Sequence, residues 1–147
     1  MDFNNGGSEK ERLCSIYNVG LHRKTKHIKR GGVMILKVGE KIHVMIRRRF
    51  ENDLRRHFVG EVAEVGENVV RVEGYTFVLD TGTKKYTRRP ELRTRIISLT
   101  DGGNIINVIP AATKLEAVTY KISEDNRLIV TDGEHLFLDV NEFGIRF

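Results

Sequence analysis

The chain has 147 residues, of which 39% are hydrophobic, a content that suits one domain with a core and a small appendage. Its formal net charge is +5, and its single cysteine, Cys14, excludes an internal disulfide framework. Apolar runs such as Val33–Leu36 and Ile105–Ile109 are too short to cross a bilayer. The N-terminus also lacks the basic and apolar segments of a secretory signal, so we expect a cytoplasmic protein without membrane contact.

Residues 1–33 show neither a helical nor a strand period, and they carry seven Lys/Arg against three Asp/Glu. This composition predicts a disordered basic tail. A second interpretation is that "RGG" ahead of "VM" is a purine-rich ribosome-binding sequence translated in frame, which would make Met34 the native start. The codons upstream of Met34 separate the two interpretations, because the second requires a GGAGG-like element there.

The first predicted strand is "KIHVMI", which alternates with a period of two. Ile42, Val44 and Ile46 fall on one face, whereas His43 falls on the other, where we expect an ordinary surface histidine. The following stretch, "FENDLRRHF", is ambiguous. Its Phe, Leu and Phe recur every four residues, which suits one or two helical turns, but the segment equally suits a wide hairpin turn around residues 51–53.

Four further strands are predicted, two of them with a glycine in mid-strand. "HFVGEVAEV" contains Gly60 and "VVRVEGYTFVLD" contains Gly74, and a strand glycine often marks a bend or a close backbone approach. A polar loop, "TGTKKYTRRPELR", leads to the strand "TRIISL", and the turn "DGGN" leads to a short strand, "IINVIP". Five strands joined by mostly tight turns predict a small closed or nearly closed β-barrel over residues 34–110.

The last part of the chain, residues 111–147, carries two hairpin signals. The first is "VTYKIS-EDNR-LIVT". The second joins "LIVT" to "EHLFLDV" through Asp132 and Gly133, which suits a type I′ turn. The whole chain is therefore predicted to be all-β, with a C-terminal β-hairpin extension after the barrel.

Two motifs of the barrel segment resemble the Sm-like family of small barrels. The first family motif has an apolar–x–Gly–x–apolar core, which "FVGEVAEV" matches through Phe58, Gly60, Val62 and Val65. The second is a strand, a glycine turn and a short apolar strand, which "LTDGGNIINVIP" matches through Leu99, Gly102 or Gly103, Asn104, Ile105, Val108 and Pro110. The resemblance covers roughly residues 40–110, and it implies a small five-stranded barrel of the Sm-like or related SH3-like kind.

The resemblance also implies a homo-oligomer. An open small barrel would leave strand edges at "TRIISL" and "INVIP", and exposed apolar edges must be paired or covered. Sm-like proteins pair these edges between subunits, which closes a ring. The alternative is a monomer in which the C-terminal hairpins cover the edge.

The sequence departs from the family at the usual RNA pocket. Members that bind uridine-rich RNA carry Asp-x-x-x-Asn after the first glycine strand, whereas "VGENVV" leaves Asn68 as the one counterpart here. They also carry an Arg-Gly pair in the second motif, where this chain has Asp101 and Gly102. An acid at that place would repel a phosphate and cannot stack on a base as a guanidinium does. The resemblance therefore supports the barrel but not the usual pocket.

Arginine clusters are the most unusual feature of the sequence. They can form a rim that contacts phosphates, with Tyr86 beside them for base stacking and "YTRRPELR" as the leading contact loop. The candidate nucleic-acid-binding residues are Tyr86, Arg88, Arg89, Arg93, Arg47, Arg49 and Asn68. The alternative is a solvated surface, with inter-subunit pairing to acidic residues such as Glu51, Asp53, Glu61 and Glu64.

We expect neither a catalytic site nor a bound cofactor. The five histidines do not fall at ligand spacing, which argues against a metal site, and no nucleophile elbow or phosphate-binding loop is present. Two functions fit what is left. One is an oligomeric Sm-like barrel that binds RNA or other nucleic acid through arginines. The other is a protein-interaction or assembly module with neither a nucleic-acid nor a catalytic role, which the basic residues 34–95 and the acidic residues 96–147 would suit.

Overall fold

The computed structural model describes residues 35–141, so the predicted basic tail and the last six residues lie outside the described residues. Within this range the chain forms two antiparallel sheets, which confirms the all-β prediction and the strands of the C-terminal extension. The first sheet contains β1 (Lys41–Ile46), β2 (Arg56–Val65), β3 (Val69–Asp80), β4 (Lys85–Arg88), β5 (Arg93–Ser98) and β6 (Asn104–Ile109). A 3₁₀ turn, Leu115–Ala117, leads to the second sheet, which contains β7 (Thr119–Ile122), β8 (Leu128–Thr131) and β9 (Phe137–Asp139).

The long strand β3 organises the first sheet. β2 runs along one side of it, while its other side pairs with β5 over Val69–Gly74 and with β4 over Phe77–Asp80. The order across the sheet is β4–β3–β2–β1–β6, with β5 also beside β3. Gly74 lies opposite Gly60 in the pairing of β3 with β2, which agrees with the close backbone approach expected of these mid-strand glycines.

Strand β4 lies inside the stretch that the sequence predicts as a polar loop. The chain turns back onto β3 because Asp80 Oδ1 accepts hydrogen bonds from the backbone of Gly82 and Thr83, and Lys84 adopts a φ of 55°. The loop prediction is wrong over Lys85–Arg88. These four residues have a polar composition that gives no strand signal, and their extended form depends on pairing with β3.

The first sheet is not closed into a barrel. Among the described residues β5 pairs with β3 alone and β6 pairs with β1 alone, so both strands have a free edge. The edges therefore lie where the sequence predicts them, but closure and the count of five strands are wrong. The physical reason is that β6 leaves the turn at Asp101–Gly103 to pair with β1 rather than with β5, and that β4 adds a strand.

Both faces of the first sheet are covered by apolar side chains. One face carries Leu36, Ile42, Val44, Phe58, Val62, Val70, Val72 and Ile97. The other face packs against the second sheet through Met45, Val59, Phe77, Ile109, Val118, Leu128, Val130, Leu136 and Val140. The second sheet thus covers a face of the first sheet, and not one of its strand edges. This packing buries His43 completely, so the prediction of a surface histidine is wrong.

The structure shows the conformation of two turns for which the sequence makes predictions. The ambiguous stretch after β1 is a turn and not a helix, because Asp53 Oδ2 accepts hydrogen bonds from the backbone of Arg49 and Phe50. The predicted type I′ turn at Asp132 and Gly133 is wrong, since Gly133 has a positive φ but Asp132 does not. The Asp132 carboxylate instead accepts backbone hydrogen bonds, which organises a wider turn.

Candidate functional site

A cavity of about 250 Å³ lies where the end of β1, the start of β2 and the second sheet meet. Part of its lining is apolar and comes from Met45 and Ile46 of β1 and from Leu128 of β8. The polar part of its lining comes from Arg47, Arg48, Arg55, His57 and Tyr86. The cavity therefore joins cationic groups, aromatic rings and apolar surface in one place, which is the composition of a ligand site.

The three arginines come from the connection between β1 and β2. Arg47 and Arg48 follow the end of β1, and Arg55 directly precedes β2. Within residues 35–141 none of their guanidinium groups pairs with a carboxylate, although Arg48 Nη1 donates to the backbone oxygen of Glu51 at 2.8 Å. The cavity is thus lined by three guanidinium groups that form no ion pair with a described carboxylate.

A second group of arginines lies on the opposite face of β2. Arg55 and Arg56 are consecutive, so their side chains point to opposite faces of the sheet. On the side of Arg56, the guanidinium of Arg95 lies 5.4 Å from the ring centre of Phe58, and its buried Nε has no hydrogen-bond partner among the described residues. Burial, followed by the charges of Arg93 and Arg56, lowers the pKa of Arg95. Positive charge is therefore concentrated on both faces of this end of the sheet.

A cluster of two histidines and two tyrosines adjoins the cavity, which is lined by two of its members, His57 and Tyr86. His43 Nε2 lies 3.3 Å from His57 Nδ1 and 3.0 Å from the Tyr120 hydroxyl, which is itself 2.9 Å from His57 Nδ1. The Tyr86 hydroxyl lies 3.3 Å from His57 Nε2, and the Tyr86 ring stacks on the Tyr120 ring at a centroid distance of 4.6 Å. Four side chains from β1, β2, β4 and β7 therefore meet at one point between the two sheets.

Burial fixes the protonation states of this cluster. It lowers the pKa of His43 to about 4, and it lowers the pKa of His57 to about 3, with smaller contributions from the charges of His43 and Arg55. Both imidazoles are therefore neutral at pH 7. Burial also raises the pKa of Tyr120, so its phenol is protonated there.

One arrangement of protons satisfies every contact of the cluster. When the Asn107 amide nitrogen, 3.4 Å away, donates to His43 Nδ1, the His43 proton lies on Nε2. His43 Nε2 then donates to the Tyr120 hydroxyl, which donates to His57 Nδ1, and His57 Nε2 donates to the Tyr86 hydroxyl. The result is a continuous chain of hydrogen bonds from β6 to the cavity.

The structure divides the sequence-predicted site residues among several environments. Arg47 and Tyr86 line the cavity together. The Tyr86 ring also packs against His57 and Tyr120, so its stacking surface is engaged within the chain. Arg88 lies over the Tyr75 ring at 5.0 Å from its centre and donates a hydrogen bond to the backbone oxygen of Glu116.

The other predicted residues lie on exposed surface, away from the cavity lining. Arg93 pairs with Glu91 at 3.4 Å, and Arg89 and Asn68 are exposed. Arg49 Nη2 lies 3.0 Å from Asp101 Oδ2. Asp101, which the sequence interpretation treats as a repulsive charge, is thus paired within the chain, and its other oxygen accepts a hydrogen bond from Gly103 at 2.9 Å.

Sequence reasoning missed the buried half of the site. The separation of His43 and His57 along the chain gives no metal-ligand pattern, whereas β1 and β2 are paired and place both side chains on the same face. The signal available was the period of two in each strand, which puts His43 with Met45 and His57 with Val59. Tyr120 gave no comparable signal, because it reaches the cluster from the second sheet.

Comparisons with known proteins add no assignment: no family model, curated protein or solved structure matches this chain. Between residues 35 and 141, none of the helical segments is long and apolar enough to cross a membrane. In the same range no group of three or more His, Cys, Asp or Glu side chains is placed to hold a metal ion. The function is therefore inferred from the geometry and charge of the cavity.

Proposed function

We propose that this chain is an oligomeric, Sm-like all-β protein that binds RNA or another single-stranded nucleic acid through its arginine-rich surface. The observation that carries the proposal is the cavity at Arg47, Arg48 and Arg55, whose three guanidinium groups have no described carboxylate partner. Unpaired guanidinium groups around an apolar recess are matched by a ligand that combines phosphates with flat bases.

The chemistry of arginine suits this ligand. Its planar fork binds phosphate oxygens in pairs, and it stacks on aromatic faces, whereas lysine acts as a point charge. Single-stranded nucleic acid offers both a phosphate chain and unstacked bases, which proteins hold on aromatic rings or on guanidinium planes. Arg56, Arg93 and Arg95 place further positive charge on the opposite face of the same end of the sheet.

The oligomeric part of the proposal is supported by the two free edges. Within residues 35–141, β5 and β6 each present an unpaired edge, and the exposed apolar side chains of Ile96 and Val108 lie on them. Such edges are paired or covered in stable proteins, and the Sm-like resemblance supplies pairing of β5 with β6 between subunits. A sheet that is open within one chain would then be completed by its neighbours.

Light scattering of the full chain, with and without a short single-stranded RNA and at low and high salt, tests the proposal. We expect an oligomer whose mass increases with RNA at low salt and returns to that of the protein alone at high salt, because phosphate contacts are screened. No association with RNA at low salt would contradict nucleic-acid binding.

A second candidate is a protein-interaction or assembly module without a nucleic-acid role. It is favoured by the same free edges at Ile96 and Val108, since strand addition by another protein needs no phosphate ligand. An oligomer that forms normally but ignores RNA at every salt concentration would support this function over the first.

A further inference from the structure

The buried histidine–tyrosine cluster has the properties of a metal site that the sequence patterns do not show. We propose that His43 Nε2, His57 Nδ1 and the Tyr120 hydroxyl oxygen form a three-ligand site for a divalent transition metal ion, with Zn²⁺ as the reference ion. This proposal is independent of nucleic-acid binding.

The first argument is the convergence of the three donor atoms. Their mutual distances are 3.3, 3.0 and 2.9 Å, so each atom faces the other two. Zn²⁺ binds nitrogen at about 2.0–2.1 Å and oxygen at about 2.0–2.2 Å, which places two ligands of a tetrahedral ion about 3.3 Å apart. The two histidines already have this spacing, and the Tyr120 hydroxyl needs to retreat by only a few tenths of an ångström.

The second argument is that each histidine ring has a neighbour at its other nitrogen that can fix its orientation. In metal sites the remaining nitrogen of each histidine is usually hydrogen-bonded, which fixes the orientation of the ring. Here the Tyr86 hydroxyl lies 3.3 Å from His57 Nε2 and can accept its proton. The Asn107 side-chain amide lies 3.4 Å from His43 Nδ1, and turning the amide over presents its oxygen to an Nδ1–H. With the protons on these two distal nitrogens, the two nitrogens that face each other are left for the ion.

The third argument is access. His57 lines the cavity of about 250 Å³, which gives an ion and its water a path to the site. Tyr120 would bind as the phenolate, so its proton passes to the buffer when the ion binds. One proton is then released for each ion bound.

A metal here would join the two sheets. His43 and His57 belong to the first sheet and Tyr120 to the second, so a shared ion would replace their hydrogen bonds with metal–ligand bonds that link the two sheets. An ion that binds only the folded chain stabilises it by mass action. The site therefore also predicts a rise in the unfolding temperature when Zn²⁺ is added.

Calorimetric titration of the full chain with Zn²⁺, in two buffers of different ionisation enthalpy, tests the site. We expect one ion per chain and the release of one proton. Tyr120→Phe keeps the ring but removes the oxygen, and it should weaken binding at least 100-fold, as should His57→Gln. His135→Ala, which changes an exposed histidine of the second sheet, should bind as the unchanged chain does.

A tail variant provides the decisive control, because Cys14, His22 and His27 can also bind metal. Replacing all three should leave the affinity and the proton release unchanged. Loss of binding in the tail variant overturns the proposal, as does unchanged affinity in Tyr120→Phe or an absence of binding by the unchanged chain. Denaturant unfolding without metal shows whether each variant folds. If His57→Gln does not fold, Tyr120→Phe decides the question.

Discussion

Gly74 lies directly opposite Gly60 in the pairing of β2 with β3, and neither position has room for a side chain. A Cβ on Gly74 would lie 2.0 Å from the Val59 backbone oxygen, and a Cβ on Gly60 would lie 2.3 Å from the Glu73 backbone oxygen. Because the obstructing atoms are backbone, the strands would have to separate to admit a methyl group. The two glycines therefore permit the close backbone approach of β2 and β3.

Gly74→Ala should therefore destabilise the chain by about 3 kcal/mol, at the upper end of the cost of overpacking. Gly102→Ala is the matched control, since a Cβ there meets no atom within 4 Å, and it should change the free energy of unfolding by less than about 0.5 kcal/mol. Urea unfolding measures both variants. Equal stability of the two would show that the glycine pair does not constrain the sheet.

The turn between β8 and β9 depends on one carboxylate. Asp132 Oδ1 accepts hydrogen bonds from the backbone of Glu134, His135 and Leu136, and Oδ2 accepts one from Lys114. These bonds hold the pKa of Asp132 well below its ordinary value. Asp132→Ala should lower the urea concentration at the unfolding midpoint more than Asp132→Asn or Asp125→Ala does, because it leaves these backbone donors without an acceptor.

Asp132→Asn should lower the midpoint less, because its amide oxygen can still accept from part of this set. Asp125→Ala replaces an exposed aspartate of the β7–β8 turn and serves as the control, with an unchanged midpoint. If Asp132→Ala and Asp125→Ala unfold at the same urea concentration, the carboxylate does not organise the turn.

Acid should destabilise the fold through His43 and His57. Their folded pKa values of about 4 and about 3 lie below the ordinary value of 6.5, so the unfolded chain binds more protons between pH 6.5 and about 4. The contribution of these two histidines to the free energy of unfolding is therefore fully present above pH 6.5 and is lost as the pH falls toward their folded pKa values. Each histidine contributes up to about 1.4 kcal/mol per pH unit in this window.

Denaturant unfolding at a series of pH values between 4.5 and 6.5 measures this slope. His57→Gln should remove about half of it, whereas His135→Ala should leave it unchanged, because His135 is exposed. If His57→Gln leaves the slope of unfolding free energy against pH unchanged, other groups cause the acid sensitivity.

Assembly should depend on the free edges of β5 and β6. Ile96→Lys and Val108→Lys place a charge on an exposed apolar position of each edge, so both should reduce the mass in solution to that of a monomer without loss of folding. Ile122→Lys, at an exposed position of the second sheet, is the matched control and should keep the oligomer. Light scattering gives the mass, and a monomeric unchanged chain would refute the assembly proposal.

Most strands of the fold could be predicted from the sequence, because alternation and the turn residues are local signals. β1, β2 and β3 follow from period-two patterns, and the mid-strand glycines mark the close approach. β4 could not be predicted, since Lys85–Arg88 has a polar composition and is extended through its pairing with β3. The open sheet could not be predicted either, because closure depends on the angles between strands and not on residue type.

The site could be predicted in part. The arginine cluster at Arg47 and the candidate residue Tyr86 could both be identified from the sequence, but their meeting at one cavity depends on the fold. The burial of His43 depends on the second sheet, which covers a face that the alternation alone leaves to solvent. A pattern along one strand shows which side chains share a face, and not which distant segment packs on it.

The salt dependence of RNA affinity tests the central claim most directly. A variant with Arg47, Arg48 and Arg55 changed to Ala is compared, as the full chain, with a variant in which the exposed Lys85, Lys121 and Arg127 are changed to Ala. Both lose three positive charges, but only the first loses them at the cavity.

Fluorescence anisotropy with a short single-stranded RNA gives the affinity at each salt concentration. We expect the cavity variant to bind more weakly and to lose about two units from the slope of log affinity against log salt, at roughly 0.7 per single-strand phosphate contact. The control variant should keep most of the slope of the unchanged chain. Equal affinities and equal slopes for the two variants would show that binding follows net charge alone, which would contradict a nucleic-acid site at the cavity.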